Sequence, residues 1–190
     1  MKNTERDARK PAVRNPRIET PRMCELSTAY HEAGHAVANW WYRIRIEKAT
    51  IIGGEGYAGF VKGKLAVDEI DLSAERAIGS MDGSDRARTR MEKDVIALLA
   101  GPATQRRFFP RGWRHHHGKS DLRNAIGLIE CFAPDNELKT YLKLLQIRAK
   151  NFVQRRYILP LIEAVAKELL IHRTLTGKQI IAIIKQTNAN

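Results

Sequence analysis

The chain has 190 residues, enough for one domain with a sizeable core and no need of cross-links. Its 33 Lys and Arg against 21 Asp and Glu give a net charge of +12, read as a solvated basic surface: the aromatics do not interleave with the basic residues as a base-stacking platform requires, and no helix-turn-helix, zinc-finger or RNA-binding signature is present, so nucleic acid is not an expected partner. Cys24 and Cys131 are too few and too far apart for a disulfide framework, which points to a reducing, cytoplasmic compartment.

Residues 1–19 mix Lys, Arg, Asn, Pro and acids with almost no apolar content, so they are expected to form a flexible basic arm, without the apolar core of a signal peptide. Residues 20–190 form the domain. Thr20 followed by Pro21 reads as an N-cap with proline at the first helical position. Met23, Leu26, Tyr30, Ala33, Val37, Trp41 and Ile44 then recur at three- and four-residue steps, the pattern of an amphipathic helix with one buried stripe.

Residues 48–52 and 57–62 are short β-prone runs on either side of Gly53-Gly54-Glu55-Gly56, which predicts a two-stranded hairpin. Residues 65–84 read as a surface connection with a short helix, ending in a cluster of Gly, Ser and Asp. A second helix carries Met91, Val95, Leu98 and Leu99 on its apolar face, and Pro102 is expected to kink or shorten it. Residues 106–119 read as a basic and aromatic loop.

Ser120 and Asp121 suit a third helix start, where a hydroxyl can cap and an acid favours the positive end of the dipole. Residues 138–153 and 161–171 have helical spacing, with Pro160 at a helix start. The second of these runs is interrupted by Glu163, Lys167 and Glu168 and falls short of the roughly 20 apolar residues of a membrane span. Thr176-Gly177-Lys178-Gln179 fits a capping box opening a last helix with Ile180, Ile181, Ile183 and Ile184. The expected fold class is therefore mainly α, about six helices with a small two-stranded β-ribbon.

Chemistry concentrates in His31-Glu32-Ala33-Gly34-His35, a HExxH pattern on the first helix. Histidines four apart stack one turn above each other, so both imidazoles reach one metal ion. Glu32 lies angularly between them and can face a water at that ion without having to coordinate it. This predicts a zinc site with His31 and His35 as ligands and Glu32 as catalytic base. His115, His116 and His117 are chemically suitable as a third ligand, but they read as exposed loop residues, since consecutive histidines point in different directions and rarely converge on one ion.

The run Thr28-Ala29-Tyr30-His31-Glu32-Ala33-Gly34-His35-Ala36-Val37 resembles the metal helix of the FtsH-type zinc peptidases, the proteolytic part of membrane-bound ATP-dependent proteases. Lys48-Ala49-Thr50-Ile51-Ile52 resembles the strand after it, and Leu98-Leu99-Ala100-Gly101 the family's leucine-alanine-glycine helix segment. Ser120-Asp121-Leu122 with Ala125 resembles the segment that supplies the third ligand, and Thr174-Leu175-Thr176-Gly177 with Ile180 the closing helix. The resemblance implies that Asp121 completes the zinc site. It also implies a mainly helical domain and a hexameric homo-oligomer, although much of such a ring is held by an ATPase part.

Departures from that pattern carry expectations of their own. Pro102, Gln105 and Arg106 stand where the family has arginine and then glutamates, so an acid that would orient a ligand is missing. The loop at Gly118-Lys119-Ser120 looks one residue short. That loop also holds the only Gly-Lys followed by Ser or Thr, and Trp113 occupies the position a Walker A loop needs as glycine, so the chain cannot hydrolyse ATP by that machinery. The expected function is a zinc metalloendopeptidase acting on peptides or unfolded protein, with any unfolding supplied by a separate AAA+ ATPase. The alternative is a catalytically weak zinc-binding adaptor or regulator working with such an ATPase or another protease.

Overall fold

A computed structural model describes residues 21–54, 58–64, 81–110 and 118–189. The elements run α1 (Pro21–Trp41), β1 (Arg45–Thr50), β2 (Phe60–Lys64), α2 (Met81–Phe108), α3 (Lys119–Glu130), α4 (Leu138–Val153), α5 (Leu159–His172), β3 (Thr174–Thr176) and α6 (Gly177–Ala189). Six helices and one small antiparallel sheet, among the described residues, match the expected mainly helical class. The basic arm, Thr20, most of the 65–84 connection and His115 to His117 lie outside the described residues.

Helix α1 is the axis of the molecule. A single buried stripe was expected, but from Glu32 to Asn39 every residue is buried, while Met23 and Trp41, at the ends of the stripe, are exposed. The difference follows from alanine: Ala29, Ala33, Ala36 and Ala38 are fully buried, and their small side chains let α2 and α5 close on the helix from different sides. Gly34 takes this furthest. A Cβ there would stand 2.4 Å from Thr104 Oγ1 and 2.9 Å from the Ala100 carbonyl, so glycine sets how closely α1 and α2 approach.

Two apolar cores lie on either side of α2. Its Ala97 and Ala100 face α1, β1, α5 and α6 in the larger core, which holds Phe152, Ile162, Leu169 and Ile180. Its Val95, Ile96 and Leu99 face α3 and α4 in the smaller one, with Ile129 and Leu145. Helix α2 is longer at both ends than the sequence suggested. It begins at Met81, inside the expected connection, and continues through Pro102 to Phe108, taking in the first residues of the expected loop. Proline deprives only the Leu98 carbonyl of a helical donor, and packing on both faces of α2 outweighs that loss.

The expected two-stranded ribbon is part of a three-stranded sheet in the order β2-β1-β3. Strand β1 pairs antiparallel with β2, from Arg45 opposite Lys64 to Thr50 opposite Phe60, with an irregularity between Ile46 and Lys48. It also pairs with β3, Lys48 opposite Thr176 and Thr50 opposite Thr174. Three residues show no local strand pattern. What makes β3 a strand is the reversal after α5, where Arg173 takes a left-handed φ of 61° and its carbonyl accepts from Ile51 N at 2.9 Å and Thr50 Oγ1 at 3.2 Å.

Two helix starts differ in how well the sequence foretold them. Thr176 and Gln179 form the expected capping box: Gln179 N–H donates to Thr176 Oγ1 at 3.3 Å, and Thr176 N–H to Gln179 Oε1 at 2.8 Å. Ser120, by contrast, does not cap α3. That helix opens one residue earlier, after Gly118 at φ 80°, without a side-chain cap, and so Asp121 sits in its first turn.

Candidate metal centre

Helix α1 presents His31 and His35 one turn apart, and α3 brings Asp121 to them from 90 positions beyond His31. Asp121 Oδ2 lies 3.1 Å from His31 Nε2 and Oδ1 lies 3.5 Å from His35 Nε2, while the two Nε2 atoms are 3.0 Å apart. One donor atom from each of the three lies within 4.8 Å of the others. The structure thus brings together the three residues expected to share an ion.

The orientation of each ring is set from behind. His35 Nδ1 donates to the Ala97 carbonyl at 2.9 Å, and Gly101 makes room for the ring, since a Cβ there would fall 2.3 Å from Nε2. His31 Nδ1 donates to Gln105 Oε1 at 3.1 Å, and Gln105 Nε2 in turn donates to Ser27 Oγ at 2.7 Å. The acid missing from the expected orienting position is therefore replaced by an amide oxygen, which leaves the His31 ring held. With both Nδ1 protons committed, both Nε2 lone pairs point at one place together with a carboxylate. Three electron-rich atoms at such distances call for a shared proton or a cation between them, and two imidazoles with a carboxylate could hold a metal ion.

The charges are consistent with that demand. Burial opposes a charged His35, but Asp121, Glu32 and the Ala97 carbonyl outweigh it and raise its pKa to about 9. Burial also opposes an ionised Asp121, yet the two imidazoles overcome it and hold its carboxyl far below the usual range.

Glu32 is 4 % exposed and lines the same cleft, an opening of about 880 Å³ between α1, the end of α2, the start of α3 and strand β2. Burial raises its pKa, with His31 and His35 acting in the opposite direction. The chain entering β2 passes directly over it, and a Cβ at Gly59 would lie 3.0 Å from Glu32 Cγ. A carboxylate so enclosed is a better proton acceptor than one in water.

His31, Glu32 and His35, expected from their spacing, and Asp121, expected from the resemblance, line one cleft, while the contacts that support them were not foreseen. The role of Gln105 was legible only as a lost acid, because nothing in the spacing says that an amide on α2 will meet an imidazole on α1. Asn39, which also lines the cleft, carried a signal that was available: it stands four residues beyond His35 on the same face. Compared with known proteins, the chain matches no family model and no curated protein.

Proposed function

We propose that this chain is a zinc-dependent metalloendopeptidase acting on extended or unfolded polypeptide, as its resemblance to FtsH-type peptidases implies, and that it works in the cytoplasm. The observation that carries the reading is the convergence of two imidazole Nε2 atoms and one carboxylate, with a buried Glu32 beside them, on the floor of an open cleft.

His31, His35 and Asp121 would hold the ion. Bound there, zinc would supply Lewis acidity, polarising the scissile carbonyl and making water acidic enough to react near neutral pH. Glu32 accepts the proton of the attacking water and returns it to the leaving amine, a transfer that its burial favours. Gln105 and the Ala97 carbonyl keep both imidazoles turned toward the cleft. Among the described residues strand β2 is an outer strand of the sheet, and Phe60 and Val61 line the cleft, so an extended chain laid there can pair with main-chain groups. Main-chain pairing favours unfolded substrates over particular side chains, which is why folded substrates call for a separate AAA+ ATPase.

Incubation of the zinc-loaded chain with unfolded casein tests the reading. Cleavage abolished by a chelator is the expected result. Glu32→Gln should keep its zinc and lose at least about 100-fold in rate, the usual worth of a general base. Tight zinc binding without any cleavage by the natural chain would favour the adaptor instead.

A further inference from the structure

His31, His35 and Asn39 follow one another at four-residue steps along one face of α1, and all three line the cleft. Asn39 is only 8 % exposed, and among the described residues its carboxamide makes no hydrogen bond, while its main-chain carbonyl accepts from Ile44 N–H at 2.8 Å. Its neighbours differ. Ser27, Thr104 and Gln105, buried polar residues of α1 and α2 that take no part in the chemistry, have partners. A buried amide left without a partner is costly, and its retention in a cleft wall argues for a ligand that completes it.

The opposite wall of the cleft meets that amide with a glycine. Gly63 of β2 stands beside it, and a Cβ there would lie 3.4 Å from Asn39 Nδ2 and 2.5 Å from the Arg45 carbonyl. Gly63 therefore lines the cleft without a side chain to cover the amide. A carboxamide offers an oxygen acceptor and two N–H donors, the same pair of functions that a peptide group presents. One helical turn, about 5.4 Å, separates Asn39 from His35, and that length corresponds to about two residues of extended chain.

We propose that Asn39 and the β2 edge at Gly63 form a main-chain docking subsite, in which the Asn39 carboxamide pairs with a peptide group of an extended substrate about two residues from the bond that is cut. The proposal rests on the peptidase reading and adds the ligand chemistry, a polypeptide backbone, and the residue that holds it. Asn39 orders the substrate and takes no part in proton transfer.

Binding, measured without turnover, separates the two claims. In a zinc-loaded Glu32→Gln background, affinity for a fluorescent, unstructured casein-derived peptide is read by anisotropy, with zinc content and thermal midpoint measured alongside. Adding Asn39→Ala should weaken binding by about fivefold to tenfold, the usual worth of one hydrogen bond, with zinc unchanged. Asn39→Asp, nearly the same size, serves if the alanine variant does not fold, and should also weaken binding. Esters replacing successive amides of the peptide should reveal one position, about two residues from the cleavage point, whose penalty disappears in the Asn39 variant. Peptide binding that is equal with and without Asn39, at every ester position, overturns the subsite and leaves the peptidase reading standing. No peptide binding by the Glu32→Gln protein overturns both.

Discussion

Gln105 shows how a site can keep its geometry while changing the chemical nature of a support. Its oxygen accepts from His31 Nδ1 and its nitrogen donates to Ser27, so a neutral group orients the ring where the family resemblance implies an acid. Gln105→Leu should lower zinc affinity by about tenfold or more, read by competition with a coloured chelator, because the ring loses its stop and Ser27 loses its donor. His35 gives a pH test. Its pKa is raised to about 9 in the folded, metal-free protein, against about 6.5 when unfolded, so its contribution to stability is fully present below about pH 6.5 and is lost as pH rises through 9. The thermal midpoint of the metal-free protein should fall across that window, and that of the zinc-loaded protein, whose His35 is neutral throughout, should not. The sequence disclosed the candidate residues His31, Glu32 and His35 because HExxH spacing is a local property of one helix. It concealed their supports because each of those contacts crosses between helices.

Among the elements, α1 and α2 form the pair on which the site depends. Gly34→Ala would press a methyl group into Thr104 and the Ala100 carbonyl, while Gly101→Ala would press one into the His35 ring. Both should destabilise the fold by about 1–3 kcal/mol, measured by urea unfolding. Only Gly101→Ala should also lower zinc content at equal folded fraction, since it strikes a ligand directly. Elements with local signals were legible: α4 spans Leu138–Val153 as its spacing predicts, and α6 begins at its capping box. Elements that depend on partners were not. Strand β3 exists through its pairing with β1, and the passage of α2 beyond Pro102 is decided by packing on both its faces rather than by propensity.

At the scale of the whole molecule, the candidate metal centre lies where the two cores meet. Two of its residues come from the helix at the centre of the larger core and the third from α3, which packs in the smaller one. Zinc should therefore slow amide hydrogen exchange most in α3 and the adjoining turns of α1, and least in α6, which is remote from the site; equal slowing everywhere would mean that the ion stabilises the fold only globally. No single segment of sequence could reveal this seam, because 90 positions separate His31 from Asp121. Its consequence reaches past chemistry. If His31, His35 and Asp121 hold zinc as proposed, such a clasp would make the grip between α1 and α3 depend on the supply of a trace nutrient, so that scarcity would loosen that seam before it merely slowed the chemistry.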